Sequence, residues 1–291
     1  MKKTKLMKIN LAIALMLFSF SSIAQITIPA PSPAGLVSGK VGLTDIEIKY
    51  SRPQTKGRKI FGNGDDFLLP YGVMWRAGAN AGTIVKFSDD VKIGNESLAA
   101  GEYLLLATPG KDEWTVYFYT DISMGGNLSA YDEAKTALKA SVKPTKLTEA
   151  VSTLTYNISD ISDDSQSAFI QMAWENTSVK IPVTVSFDDQ VMKAIAKGTK
   201  VNVANYASAA NYYLTTGKDL KQALEWMNLY LAEGQNANQF WHVHTKALIQ
   251  AKLGDKKGAK ETAKKSMELA KKSPQGDFGY IKRNEDLIAG L

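Results

Sequence analysis

Arg52, Lys56, Arg58, Lys59 and Arg76 fall between Tyr50 and Asn80, interleaved with Tyr50, Phe61, Tyr71 and Trp75. Guanidinium groups beside aromatic rings can clamp a carboxylate or phosphate through paired N–H donors and stack on a ring face. This is the composition of a site for an anionic small molecule or a sugar acid, with Arg52, Arg58, Trp75 and Arg76 as its expected members. Asn80, between Gly78-Ala79 and Gly82, either orients the ligand or supplies a turn conformation. A structural role is equally open for the arginines: they would pair with local acids or carbonyls and hold a long loop, leaving the aromatics as core.

Other chemistries are restricted by what the chain lacks. It contains no cysteine, and its two histidines, His242 and His244, lie beyond residue 190. Disulfides and thiolate sites are excluded, and neither Ser-His nor Cys-His nucleophiles nor histidine-ligated zinc can be assembled within residues 25–190. Carboxylates are the remaining catalytic route. Asp65-Asp66, Asp89-Asp90, Asp112-Glu113, Asp132-Glu133 and Asp163-Asp164 are adjacent pairs, and two carboxyl groups about 5 to 9 Å apart can cleave a glycoside. Most of these pairs stand in turn contexts, where acids serve local hydrogen bonds. No metal or cofactor is expected. Asn63-Gly64-Asp65-Asp66 lacks the spacing of a calcium loop, and two histidines two apart on a helix point about 200° from each other, so they cannot chelate one ion.

The elements that must position these residues change character along the chain. Lys2, Lys3, Lys5 and Lys8 precede an apolar stretch from Leu11 to Phe20, and Ser22-Ile23-Ala24 offers the small residues that a signal peptidase reads. Residues 1–24 are therefore expected to be a leader, and the mature protein to be periplasmic or extracellular. No later stretch approaches the roughly 20 apolar residues of a transmembrane helix. Residues 25–190 carry 15 basic and 20 acidic side chains, whereas residues 191–291 carry 16 and 9. This asymmetry divides the chain into two domains, expected at 25–187 and 188–291.

Short runs of Val, Ile, Thr, Tyr and Phe, punctuated by Gly, Asp, Asn and Pro, make the first an all-β sandwich. Its expected strands include Ile46–Tyr50, Thr83–Phe87, a hairpin of Tyr103–Thr108 and Trp114–Tyr119, and Ser152–Ile161, Ala168–Glu175 and Val179–Phe187. One helix is expected at Ser129–Ala140. After Phe187 the apolar period becomes about 3.6. Val203, Tyr206, Ala207, Ala210 and Leu214 share one face, ended by Gly217. Asp219 opens a stripe of Leu220, Ala223, Leu224, Met227 and Leu231; Phe240, Val243, Ala247, Leu248 and Ala251 form a third; Asp255 opens a fourth through Ala259, Ala263 and Ala270. Such an all-α unit buries its stripes by antiparallel stacking.

Two resemblances follow. Gly217-Lys218-Asp219 with Ala223, and Gly254-Asp255 with Ala259, Ala263 and Ser266, resemble the turn and small-residue positions of tetratricopeptide helix pairs. Ser51-Arg52-Pro53, Lys56-Gly57-Arg58, Ile60-Phe61-Gly62, Pro70-Tyr71-Gly72, Trp75-Arg76, Gly78-Ala79-Asn80, Ala100-Gly101-Glu102-Tyr103 and Glu113-Trp114-Thr115-Val116 resemble, in order, the motifs of DUF2911, a family of uncharacterised exported bacterial proteins. That resemblance implies a fold and an exported habitat, not an activity.

The resulting expectation is a non-enzymatic binding or scaffolding protein of the cell envelope. It would take an anionic small molecule or sugar acid at the β domain and a protein partner at the helical domain, where Tyr212, Tyr213, Trp226, Tyr230, Phe240 and Trp241 supply aromatics. The alternative is a carboxylate-based hydrolase acting on envelope or dietary glycans. Nucleic acid is excluded as a partner by export, and by the dispersal of Lys256, Lys257, Lys260, Lys264, Lys265, Lys271 and Lys272 over most helix faces with no arginine among them. Mass spectrometry of the protein secreted by its own host is expected to find a chain beginning at Gln25. An intact Met1 terminus on cytoplasmic protein would overturn export.

Overall fold

The computed structural model describes residues 28–199 and 202–291, so the expected leader lies outside the described residues. The chain divides into two compact units, with the boundary between Ser186 and Phe187. The first is a β unit. Its larger sheet is antiparallel, in the order β1 (Ala34–Val41), β2 (Thr44–Ser51), β5 (Thr83–Phe87), β8 (Gly101–Thr108), β9 (Trp114–Tyr119) and β10 (Thr136–Val142). The smaller, also antiparallel, runs β11 (Pro144–Ser159), β12 (Ser167–Val185), β6 (Val91–Ile93) and β7 (Glu96–Leu98).

Alternation of buried and outward residues explains why these segments are strands. In β2, Ile46, Ile48 and Tyr50 are buried while Asp45 and Lys49 face out; in β5, Thr83, Val85 and Phe87 are buried and Lys86 is not. These strands thus have one apolar face, which the sheets hide by packing on each other as a sandwich. Tyr50 on β2 and Tyr156 on β11 meet edge to face at 4.9 Å, and the Tyr156 backbone N–H donates to the Tyr50 hydroxyl oxygen at 3.2 Å.

Two local readings need correction. Ala168–Glu175 and Val179–Phe187 are parts of one long strand, β12, with a change of phase inside it. Ala168, Ile170, Met172 and Trp174 are buried up to that point and Val179, Ile181, Val183 and Val185 beyond it. Glu175, at φ 53, lies where the register against β11 shifts, with the extra residues on β11, and this irregular stretch keeps both apolar sets of β12 inward. The helix expected at Ser129–Ala140 is absent. Leu128–Ala130 and Glu133–Lys135 are single 3-10 turns, and Thr136–Val142 is edge strand β10. Its alanines favour a helix locally, but β10 buries Leu138 and Val142 at a spacing that fits a pleated edge.

Between β2 and β5 the chain coils through β3 (Lys59–Gly62) and β4 (Phe67–Pro70), a parallel pair joined by a turn of residues 63–66. The coil closes tightly. A Cβ at Gly62 would stand 2.3 Å from the Phe67 ring, so only glycine allows the contact.

Among its described residues the second unit holds six α-helices: α1 (Asp188–Gly198), α2 (Tyr206–Thr216), α3 (Leu220–Ala232), α4 (Phe240–Lys252), α5 (Lys256–Lys271) and α6 (Tyr280–Ala289). The turn signals operate where expected. Gly217 closes α2 in the left-handed conformation at φ 68, the Asp219 carboxylate accepts the Lys221 and Gln222 backbone N–H groups, and that of Asp255 accepts the Gly258 N–H. Helices α2 and α3 enclose Ala207, Ala210, Leu214, Ala223 and Met227. Helices α1 and α6 bury no apolar side chain fully, and polar contacts help to hold them. The Asp188 carboxylate accepts from the Tyr212 hydroxyl and from Lys218 Nζ, which keeps the carboxyl below its usual range and pushes the Tyr212 phenol up to about 12, there chiefly through burial.

Helix α6 is pinned through Asn284, which is fully buried. Its Nδ2 donates to Ser266 Oγ at 3.0 Å and to the Tyr280 carbonyl at 2.7 Å, and Ser266 Oγ donates to the Phe240 carbonyl at 2.8 Å. Asn284 Oδ1 lies 2.8 Å from His244 Nδ1. Since that oxygen only accepts, the neutral histidine carries its proton on Nδ1. Burial holds His244 below the ordinary histidine value; the Asn284 hydrogen bond opposes this and the Arg283 charge adds to it. Burial moves His242 in the same direction. The unfolded chain therefore binds more protons than the folded one just below the ordinary value of about 6.5. This contribution to stability is complete above that pH and is lost as pH falls toward the folded pKa. Thermal melts of the full chain followed by helical circular dichroism should drop in midpoint from about pH 7 to about pH 5, and less steeply in His244→Gln. An identical pH profile in the variant would refute the assignment.

Candidate functional site

The segment from Trp75 to Thr83 is tied to its surroundings at almost every residue. Trp75 exchanges backbone hydrogen bonds with Ala107 at 2.7 and 2.8 Å, which fastens it to β8. Its indole is 6% exposed. The ring stacks on Trp174 at 5.9 Å and meets the Phe61 ring at 5.8 Å, and Nε1 donates to the Gly78 carbonyl at 2.9 Å. Ala77, at φ 49, occupies a left-handed conformation that costs a residue with a Cβ about 1 kcal/mol or more. What fixes it is its carbonyl, which accepts both the Thr83 hydroxyl at 2.8 Å and the Tyr156 hydroxyl at 2.7 Å. Burial drives the Tyr156 phenol well above its ordinary range, so it remains a donor. Asn80 is also left-handed, at φ 54, and its Nδ2 donates to Ser51 Oγ at 3.0 Å and to the Ser32 carbonyl at 3.3 Å.

The expected site residues divide into two groups. Trp75 belongs to the core, satisfied by Gly78. Arg58 lies on its own loop, Nε donating to the Thr55 carbonyl at 3.0 Å and Nη2 to that of Gln54 at 2.7 Å. Arg52 and Arg76 differ from both. Neither makes an ion pair or a side-chain hydrogen bond with a described residue, and the Nε of each is buried without a partner. Arg52 runs beside Gly35 and the Tyr50 ring, where a Cβ on Gly35 would stand 2.8 Å from Arg52 Cδ. Arg76 runs along Gly126: a Cβ there would be 3.1 Å from Arg76 Cδ and 2.4 Å from the Asn80 carbonyl oxygen. Asn80 therefore has Arg76 beside its backbone and, through Ser51, the backbone of Arg52 beside its amide. The geometry relates Arg52, Asn80 and Arg76, and assigns Arg58 and Trp75 to scaffold contacts.

The paired acids are engaged in turns and on the surface. Asp90 accepts the Ala100 N–H at 2.8 Å, Asp132 that of Ala134 at 3.1 Å and Asp164 that of Gln166 at 3.0 Å. Glu113 accepts the Ser141 hydroxyl, and Glu133 pairs with Lys139. No group of three or more His, Asp or Glu side chains able to hold a metal occurs among the described residues.

A cleft of about 330 Å³ lies apart from the arginines, with Phe61, Tyr71, Lys111, Trp114, Lys146 and Glu175 in its lining. Sequence reasoning singled out Phe61 and Tyr71 but missed the three charged residues. The one usable signal was the break in alternation after Glu175, which two separate strands also explain. A family described as a protein of unknown function (DUF2911) matches residues 32–183, just over half of the chain. No curated protein and no solved structure matches it.

The two scaffold assignments predict unequal costs. Trp75→Phe leaves the Gly78 carbonyl without its donor and should cost about 1 to 3 kcal/mol, whereas Arg58→Ala exposes two carbonyls to water and should cost less than about 1 kcal/mol. Urea unfolding of the two variants checks the order; equal costs would contradict it.

Proposed function

The chain belongs to the DUF2911 family, and on that premise we propose that it is an exported, non-enzymatic binding protein of the cell envelope. Its β unit takes an anionic small molecule or a sugar acid at Arg52 and Arg76, with Asn80 between them. The observation that carries this reading is the pair of buried, unpartnered Nε donors. A buried donor without an acceptor costs about 1 to 3 kcal/mol, more when it is charged. A carboxylate or phosphate would remove that cost by accepting from Nε and a terminal nitrogen together. The left-handed backbone at Ala77 and Asn80 is held independently of either arginine, so the site stands ready without its ligand. In the helical unit, Trp241 at 40% and Phe278 at 64% exposure give a protein partner large apolar side chains to cover.

Arg76→Ala distinguishes a ligand site from a structural arginine. Glucuronate and inorganic phosphate are titrated calorimetrically into the full chain and into the variant, and both proteins are melted without ligand. The expected result is binding of at least one anion to the unaltered chain, lost in the variant, with the unliganded melting temperature nearly unchanged because Arg76 has no internal partner to lose. A large fall in melting temperature, or equal binding to both proteins, would end the reading.

A further inference from the structure

The cleft that holds Lys111, Lys146 and Glu175 is built from every layer of the β unit. Lys111 stands at the tip of the β8–β9 hairpin, Lys146 near the start of β11 and Glu175 in the irregular stretch of β12; Phe61 comes from β3, Trp114 from β9 and Tyr71 from the residue after β4. Its shape depends on backbone that other residues cannot reproduce. At Gly110, also in the lining, a Cβ would stand 2.2 Å from the Glu113 carbonyl oxygen, so glycine alone lets the hairpin close beneath Lys111. Glu175 keeps its left-handed φ of 53 because the irregular stretch must bring the apolar residues on both sides of it inward.

The charges around this space are uncompensated. Lys111, Lys146 and Glu175 make no ion pair and no side-chain hydrogen bond among the described residues. Six lysines of this unit pair with acids, among them Lys40–Asp45, Lys86–Glu102, Lys135–Asp121 and Lys180–Asp160, whereas Lys56, Lys59, Lys92 and Lys143, like Lys111 and Lys146, make no ion pair with a described residue. Two ammonium groups and one carboxylate thus belong to a cleft whose lining also includes Phe61 and Trp114, both buried. A purely anionic ligand would satisfy the lysines and be repelled by Glu175. A ligand with an ammonium group satisfies the carboxylate as well, by a charge-assisted hydrogen bond. Two carboxylates and one ammonium complement the three charges one for one.

We propose that this cleft is a second ligand site, independent of the arginines, which binds a small dicarboxylate with one α-ammonium group: a free acidic amino acid, or a dipeptide that begins with one and whose C-terminal carboxylate replaces the α-carboxylate lost to the amide. The carboxylates are placed on Lys111 and Lys146 and the ammonium on Glu175. The volume suits one such residue with its waters.

Titration calorimetry of the full chain with L-glutamate, the dipeptide Glu-Ala and glutarate, which has both carboxylates but no amine, tests the site. Glutamate is expected to bind at least tenfold more tightly than glutarate. Glu175→Gln should remove that preference by weakening glutamate and strengthening glutarate, and Lys146→Met should weaken both ligands at least tenfold. Lys146 is exposed and without an internal partner, so this variant folds whatever Glu175→Gln does. Stronger binding of Glu-Ala than of glutamate assigns the peptide source, and the reverse assigns the free amino acid. No glutamate binding by the unaltered chain, glutarate bound as well as glutamate, or binding unchanged in Lys146→Met would each overturn the proposal. Arg76→Ala should leave glutamate binding intact, which separates failure of this site from failure of the arginine site.

Discussion

The β unit depends on a nucleus of four rings. Phe61 lies 4.7 Å from Trp114, 5.8 Å from Trp75 and 6.0 Å from Trp174, and Trp75 stacks on Trp174. Trp114 belongs to the larger sheet and Trp174 to the smaller, Phe61 to the coil of β3 and β4, and Trp75 to the segment fastened to Ala107. One desolvated cluster thus joins elements distant in sequence, and its mostly edge-to-face geometry fixes orientation as well as separation. Both candidate regions derive from it. Phe61 and Trp114 form part of the cleft lining, while Trp75 is the buried residue immediately before Arg76 and, through Gly78, anchors the start of the turn that carries Asn80.

Around that nucleus two strained residues are held by hydrogen bonds that converge on them. Ala77 is held by two hydroxyl donors on one carbonyl and Asn80 by two acceptors on one amide. Glu175 has no such bonds; register forces it, since the apolar parity on its two sides differs by one. The same unusual backbone thus has two causes. At Ala77 and Asn80 polar contacts could be removed singly and the turn would loosen, whereas relaxing Glu175 would turn half of β12 inside out.

What could be read from the chain follows from how local each cause is. Residues Ile46–Tyr50 and Thr83–Phe87 and the β8–β9 hairpin declared themselves by alternation and turn residues, and Gly217, Asp219 and Asp255 declared the helix ends, because each signal and its effect lie within one turn or strand. Strand β10 did not, since its alanines become extended only by adding to the edge of β9. Helix α6 did not either, because what docks it is Asn284, a polar residue whose partners His244 and Ser266 come from two other helices. The site behaves likewise. A run of arginines and aromatics stood out in the chain as a candidate site, but the separation of Arg58 and Trp75 from Arg52 and Arg76 depends on which carbonyls the fold places within reach.

The use of charge in the β unit bears on that separation. Residues 25–190 contain 20 acidic side chains, enough to neutralise every arginine there if the fold required it. The ion pairs formed between described residues are all made by lysine: Lys40, Lys49, Lys86, Lys135, Lys139 and Lys180 in this unit, and Lys218 and Lys282 in the helical one. Guanidinium is the better partner for a carboxylate, planar and able to donate two parallel bonds, and it loses less by leaving water. A fold that needed Arg52 and Arg76 only as cations would pair them with some of those acids. Instead both keep a buried nitrogen without an acceptor, while Arg58 spends its donors on carbonyls. Such an arrangement is costly if the arginines serve the scaffold, and is what an acceptor arriving from outside the chain requires.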